Sequence, residues 1–133
     1  MELPVGKAEE LCTGDTVALI CTGPVANTAF AAAARFPGKA GVYNFRFLKP
    51  LDTEMLDGIA SRYSHVITLE DGTLKGGLFG AVCEYFAGRK DAPAIEGIGI
   101  PDEFLSHTSR SEELEMCGLD EASVSAKIAA LLN

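Results

Sequence analysis

The sequence has no apolar run approaching the ~20 residues that cross a bilayer, and no basic-then-apolar opening: it begins M-E-L-P-V-G-K. Membrane insertion and secretion are therefore not expected, and a cytoplasmic location is. Lysine and arginine are few and scattered, 11 against 19 acidic residues, for a net charge of −8. Such a chain repels a phosphate backbone, which argues against nucleic acid as a partner. The four cysteines (Cys12, Cys21, Cys83, Cys117) form no C-x-x-C pair and no metal-ligand spacing. In a chain with no signal they read as free thiols, and Cys21 and Cys83, inside apolar segments, as core packing. No serine sits in G-x-S-x-G, no G-x-x-x-x-G-K-[ST] occurs, and no His/Cys/Asp/Glu cluster suggests a metal site.

What is present is an ordinary globular composition, 47% apolar and 23% charged, in a chain whose 133 residues suit one domain. Residues 5–11 are a short strand, weak enough to be an edge. Residues 16–21 (T-V-A-L-I-C) are a nearly continuous apolar run, as expected of a central strand covered on both faces. Gly23-Pro24 opens a helix with Val25, Ala29, Ala32, Ala33 and Phe36 on one face, stopped by Pro37-Gly38. A strand is expected over 41–47, then a helix capped by Asp52 with Leu56, Ile59, Ala60 and Tyr63 inward.

Residues 65–69 form the next strand, and a loop rich in glycine leads from it into a widely apolar helix over 77–88. That helix should be buried against the sheet or a neighbouring domain. A last strand over 95–100 carries two glycines, which suggests a close approach or a bulge. Ser109 and Glu112 form a capping box for a short helix ending near Gly118, and Asp120 caps the final helix. A short strand, then β-α-β-α-β-α-β, then two helices implies a mostly parallel sheet between helix layers, with right-handed crossovers. Loops 22–24, 48–52, 70–77 and 101–107 then share one sheet edge, where ligands and partner domains usually sit in such folds.

The organising stretch is I-T-L-E-D-G-T-L-K-G-G-L-F-G, residues 67–80. Gly76-Gly77-x-x-Gly80 at a helix start invites an anion, with Lys75 beside it. The spacing is not G-x-G-x-x-G, and the competing reading is that the glycines let the helix start pack closely. Glu70 and Asp71 are adjacent, so their side chains diverge and do not form an acid/base pair. Salt bridges to Arg46 or Lys49 are the plainer expectation. His107, near Asp102 and Glu103, is a candidate acid or base, though a histidine beside a loop is more often packed or capping. From these residues alone the chain reads as a domain without an active site of its own.

Four stretches carry a resemblance across essentially the whole chain: R-F-L-K-P-L-D (46–52), L-E-D-G-T-L-K-G-G-L-F-G (69–80), G-I-P-D-E-F-L-S-H (99–107) and C-G-L-D (117–120). In this order and spacing they resemble the carboxyl-terminal domain of the 1-deoxy-D-xylulose-5-phosphate synthases, within the transketolase-like thiamine diphosphate enzymes. The first two are shared more loosely with transketolases and 2-oxoacid dehydrogenase β-subunits, whereas G-I-P-D-x-F-x-x-H is more specific to the synthases. Thr108 stands where that pattern continues with glycine, which puts any role of His107 in doubt.

The resemblance implies an α/β fold: three layers, α/β/α, around a five-stranded, mostly parallel sheet whose first strand is antiparallel. It implies a single domain, 1–133, that is a fragment of a longer enzyme, with Met1 as an expression start. The complete enzyme would condense pyruvate with glyceraldehyde 3-phosphate, releasing CO2, for non-mevalonate isoprenoid and thiamine precursor synthesis. It would use thiamine diphosphate and Mg2+ and work as a homodimer with the upstream catalytic domains of the same polypeptide.

The family's cofactor signature, G-D-G followed by Asn, is absent: Glu70 stands before Asp71-Gly72. No catalytic, cofactor or metal residue is therefore carried over, and the fragment alone is expected to be inactive. Arg46, Lys49, Glu70, Asp71, Lys75, Gly76, Gly77, Asp102 and His107 remain as candidate interdomain or anion contacts. The alternatives are the matching domain of a transketolase or 2-oxoacid dehydrogenase β-subunit, or a free-standing anion- or nucleotide-binding module.

Overall fold

A computed structural model describes residues 8–22, 25–45, 52–70, 77–90, 92–99 and 120–132. Five strands form one sheet: β1 (Glu9–Cys12), β2 (Val17–Cys21), β3 (Ala40–Asn44), β4 (His65–Glu70) and β5 (Ala94–Gly99). Their spatial order is β1-β3-β2-β4-β5. β2 pairs in parallel with β3 and β4, β4 in parallel with β5, and only β1 runs antiparallel, against β3. The described helices are α1 (Val25–Ala33), α2 (Thr53–Arg62), α3 (Leu78–Phe86) and α4 (Glu121–Leu132).

The apolar run of 16–21 becomes the central strand because both its faces find helices. Val17, Leu19 and Cys21 point into a core shared with Ala29 and Ala32 of α1 and Val124 and Ile128 of α4. Ala18 and Ile20 point the other way, into a core with Leu56 and Ile59 of α2 and Leu78, Val82 and Phe86 of α3. This strict alternation is the two-residue period of a strand used twice, and it makes three layers.

The alanines of α1 let it lie close to the sheet, and Gly38, at φ 78°, supplies the left-handed turn after it. Asp52 caps α2 by accepting the Met55 amide, and Asp120 caps α4 through the Ser123 amide and hydroxyl. The capping box at Ser109–Glu112 and its helix lie outside the described residues.

The widely apolar helix expected over 77–88 uses its inner face on the sheet: Leu78, Val82 and Phe86 are all buried there. Close approach also explains a glycine of the last strand, because the ring of Phe79 fills the space that a Cβ at Gly97 would need. Cys12, Cys21 and Cys83 are free thiols, and burial, with a smaller contribution from Cys12, pushes the Cys21 thiol up to about 12. Among the described residues no helix is long and apolar enough to cross a membrane.

Candidate functional site

The topology singles out one edge. Chain order runs from β2 sideways to β3, then back across to β4 and on to β5, and α1 lies on the face opposite α2 and α3. The reversal puts a switch point between the carboxyl ends of β2 and β4, the place where open α/β sheets form a crevice. Cys21 ends β2 and Glu70 ends β4 at this point.

Glu70 is buried, 7% exposed, and its carboxylate is fully engaged by the helix that follows. Oε2 accepts the Leu78 N–H at 3.0 Å and Oε1 accepts the Phe79 N–H at 3.2 Å. A helix leaves its first amide donors without partners, and its dipole favours negative charge beside them. Here the missing N-cap side chain is supplied from the preceding strand. Gly77 occupies the N-cap position with no side chain of its own, and its missing Cβ is what admits the carboxylate, which fills that space.

At Gly77 the close packing seen is that of the Glu70 carboxylate on the helix start. Two of the amides that an incoming anion would use already face a carboxylate, whose charge opposes a second anion. Among the described residues Glu70 binds main-chain amides eight and nine residues on; Arg46 and Lys49, its expected partners, are not among them. Arg46, Lys49, Asp71, Lys75, Gly76, Asp102 and His107 lie outside the described residues, so of the nine candidates the structure brings together Glu70 and Gly77.

Two groups at the edge were not singled out as site residues by sequence. Asn44 ends β3, and its buried Oδ1 has no hydrogen-bond partner among the described residues. Asp52, read from sequence only as a cap, is 6% exposed and also accepts the Ala8 N–H on Oδ2 at 2.8 Å. Nothing in residue type distinguishes such a double acceptor from an ordinary cap. Among the described residues no group of three or more His, Cys, Asp or Glu could hold a metal ion. Two cavities lined by described residues lie toward the other ends of the strands. One, of about 230 Å³, takes in His65 and Ala94 at the starts of β4 and β5; the other, of about 400 Å³, takes in Thr13, Pro37 and Ala40.

Residues 6–124 match the family model described as transketolase, C-terminal domain. The chain belongs to that family. Among its curated relatives, the 1-deoxy-D-xylulose-5-phosphate synthase of Bacteroides thetaiotaomicron is 40% identical over 131 residues, covering 96% of this chain and 20% of that protein. The enzyme of the same name from Phocaeicola vulgatus is 41% identical over 127 residues, covering 92% of this chain and 20% of its own length. This transketolase C-terminal domain therefore spans about one fifth of the curated relatives it matches.

A solved structure titled "Split gene transketolase, inactive beta4 tetramer" superposes with a TM-score of 0.84 at 26% identity, over 99% of this chain and 44% of that one. The fold expected from the resemblance, five strands with the first antiparallel, is the fold observed.

Proposed function

We propose that this chain is the carboxyl-terminal, non-catalytic domain of a 1-deoxy-D-xylulose-5-phosphate synthase. The observation that carries the reading is identity of about 40% to enzymes of that name over nearly the whole chain, together with G-I-P-D-E-F-L-S-H at 99–107. The complete enzyme joins pyruvate, with loss of CO2, to glyceraldehyde 3-phosphate, and acts in the cytoplasm as a homodimer. Thiamine diphosphate and Mg2+ supply carbanion stabilisation there.

In support of this reading, the first free amides of α3 at the carboxyl edge are already taken by Glu70. The part of this domain is structural, supporting the upstream catalytic domains of the same polypeptide through the carboxyl-edge loops. α3 contributes its outer flank, since its inner face is spent within the fold.

Two experiments test this. The isolated chain should show no binding of thiamine diphosphate with Mg2+ by calorimetry and no turnover of pyruvate; micromolar cofactor binding would refute the assignment. An antibody to this domain should detect, in source cells, a polypeptide several-fold heavier than 14.0 kDa. A band at 14.0 kDa would favour a second reading, a separately encoded transketolase-type subunit, which the likeness to the split-gene transketolase supports. Substrate preference of the assembled enzyme then separates the two.

A further inference from the structure

β1 is an edge strand held by little burial. None of its four residues is fully buried, it pairs on one side only, and its register slips between Glu10 and Cys12. Little apolar area secures such a strand, so its local stability falls to its polar contacts.

Besides the ladder to β3, two hydrogen bonds hold the segment at its ends, and both come from one helix. Before β1, the Ala8 N–H donates to Asp52 Oδ2 at 2.8 Å; after it, the Gly14 N–H donates to the Tyr63 hydroxyl at 2.8 Å. Asp52 and Tyr63 are the N-cap and C-cap of α2. At the rise of a helix these caps stand about 16 Å apart, and an extended stretch from Ala8 to Gly14 spans about 20 Å. The two ends of the helix thus hold the two ends of the strand segment.

Each holding group is fixed from a second side. Asp52 Oδ1 accepts the Met55 N–H at 3.1 Å, and the Tyr63 hydroxyl is 2.7 Å from that of Tyr43 in a buried pair. A side chain anchored twice yields less than a free one, because its rotamer entropy is already spent.

The geometry points to β1 as a releasable strap with two latches on α2, Asp52 at one end and Tyr63 at the other. It opens as a unit while β2, β3, β4 and β5 stay folded. Release bares the outer edge of β3, a row of main-chain donors and acceptors open to pairing with another extended segment. The strap belongs to this chain whichever enzyme the domain serves.

Amide hydrogen exchange on the whole 133-residue chain tests it. Asparagine caps a helix about as well as aspartate, but it has one acceptor oxygen and cannot serve both Ala8 and Met55. In Asp52→Asn the amides of Glu9–Cys12 should exchange about tenfold faster, the loss of one hydrogen bond to a charged group. Tyr63→Phe, which removes the other latch along with the hydroxyl's bond to Tyr43, should accelerate the same amides. Those of Leu19 in β2 and Ile67 in β4 should stay at the parent rates in both variants. Unchanged β1 exchange in both, or equal acceleration of β1, β2 and β4, overturns the proposal: in the first case the latches hold nothing, and in the second the strand opens only with the whole fold.

Discussion

The carboxylate of Glu70 fills the space where a side chain at Gly77 would begin. Gly77 has φ −97°, outside the left-handed region, so glycine is required there by occupancy and not by backbone conformation. Gly77→Ala should cost at least as much as Glu70→Gln, which gives up one of two amide bonds to a charged acceptor, about 1–3 kcal/mol. In a Glu70→Ala background the same alanine has room and should be nearly neutral. A double-mutant cycle in urea measures the coupling; additive costs would mean that the two positions do not share this space.

The hydroxyls of Tyr43 and Tyr63 form a second shared contact, and only Tyr63 also serves a main-chain amide, that of Gly14. Tyr63→Phe leaves that N–H without a partner and should cost about 1–3 kcal/mol, whereas Tyr43→Phe leaves no main-chain amide unpaired and should cost less, about 0.5–1.5 kcal/mol. Thermal melts of the two variants should rank in that order. Gly41→Ala would set a methyl group against the Tyr63 hydroxyl and should melt below Tyr43→Phe.

Alkaline pH should weaken the fold through Cys21. Burial pushes its thiol up to about 12 from 9.0, and an unfolded thiol titrates near the lower value. Below pH 9 both states keep the proton, so the full stability is present. As pH rises from 9 towards 12, the unfolded chain releases a proton that the folded chain retains, and stability falls by up to ~1.4 kcal/mol per pH unit. Burial, then the Tyr63 hydroxyl, also raises the Tyr43 phenol above 10.0, which steepens the fall beyond pH 10.0. Urea midpoints against pH should be shallower for Cys21→Ala than for the parent chain; parallel curves would exclude the thiol as the cause.

The last helix should be held by its buried face and not by its charges. Ile128 is fully buried in the core it shares with α1, so Ile128→Ala should cost about 2–5 kcal/mol. The Arg35–Glu121 pair, 2.5 Å apart, joins side chains that are 51% and 43% exposed. Arg35→Ala should cost at most about 1 kcal/mol. Chemical denaturation of both variants checks the contrast, and an equal cost would contradict it.

The elements could be read from sequence where a period met a stop signal. The run at 16–21 became β2, and Asp52 and Asp120 cap the helices they were expected to cap. β1 was placed early, over 5–11 where Glu9–Cys12 is found, because a half-exposed edge strand has no strong alternation to fix its bounds. The layers followed from alternation of element types, whereas the antiparallel first strand came from family resemblance.

What sequence could not supply was the pairing of groups across space. Glu70 is separated by a loop from the amides it binds, and nothing in the spacing joins them. Tyr43 and Tyr63 lie in different segments with nothing in their spacing to join them. Residue type identified the polar groups, and only the packing of β3, β4, α2 and α3 determined what each one touches.

The double hold on β1 also determines how this domain would bear tension. A pull at Ala8 loads the Asp52 carboxylate first, and the β1–β3 ladder takes up the load next. The force therefore enters along α2 and the outer strand, and β2 lies one strand further in. The domain would yield at its margin under stretch, with its central strand carrying load last.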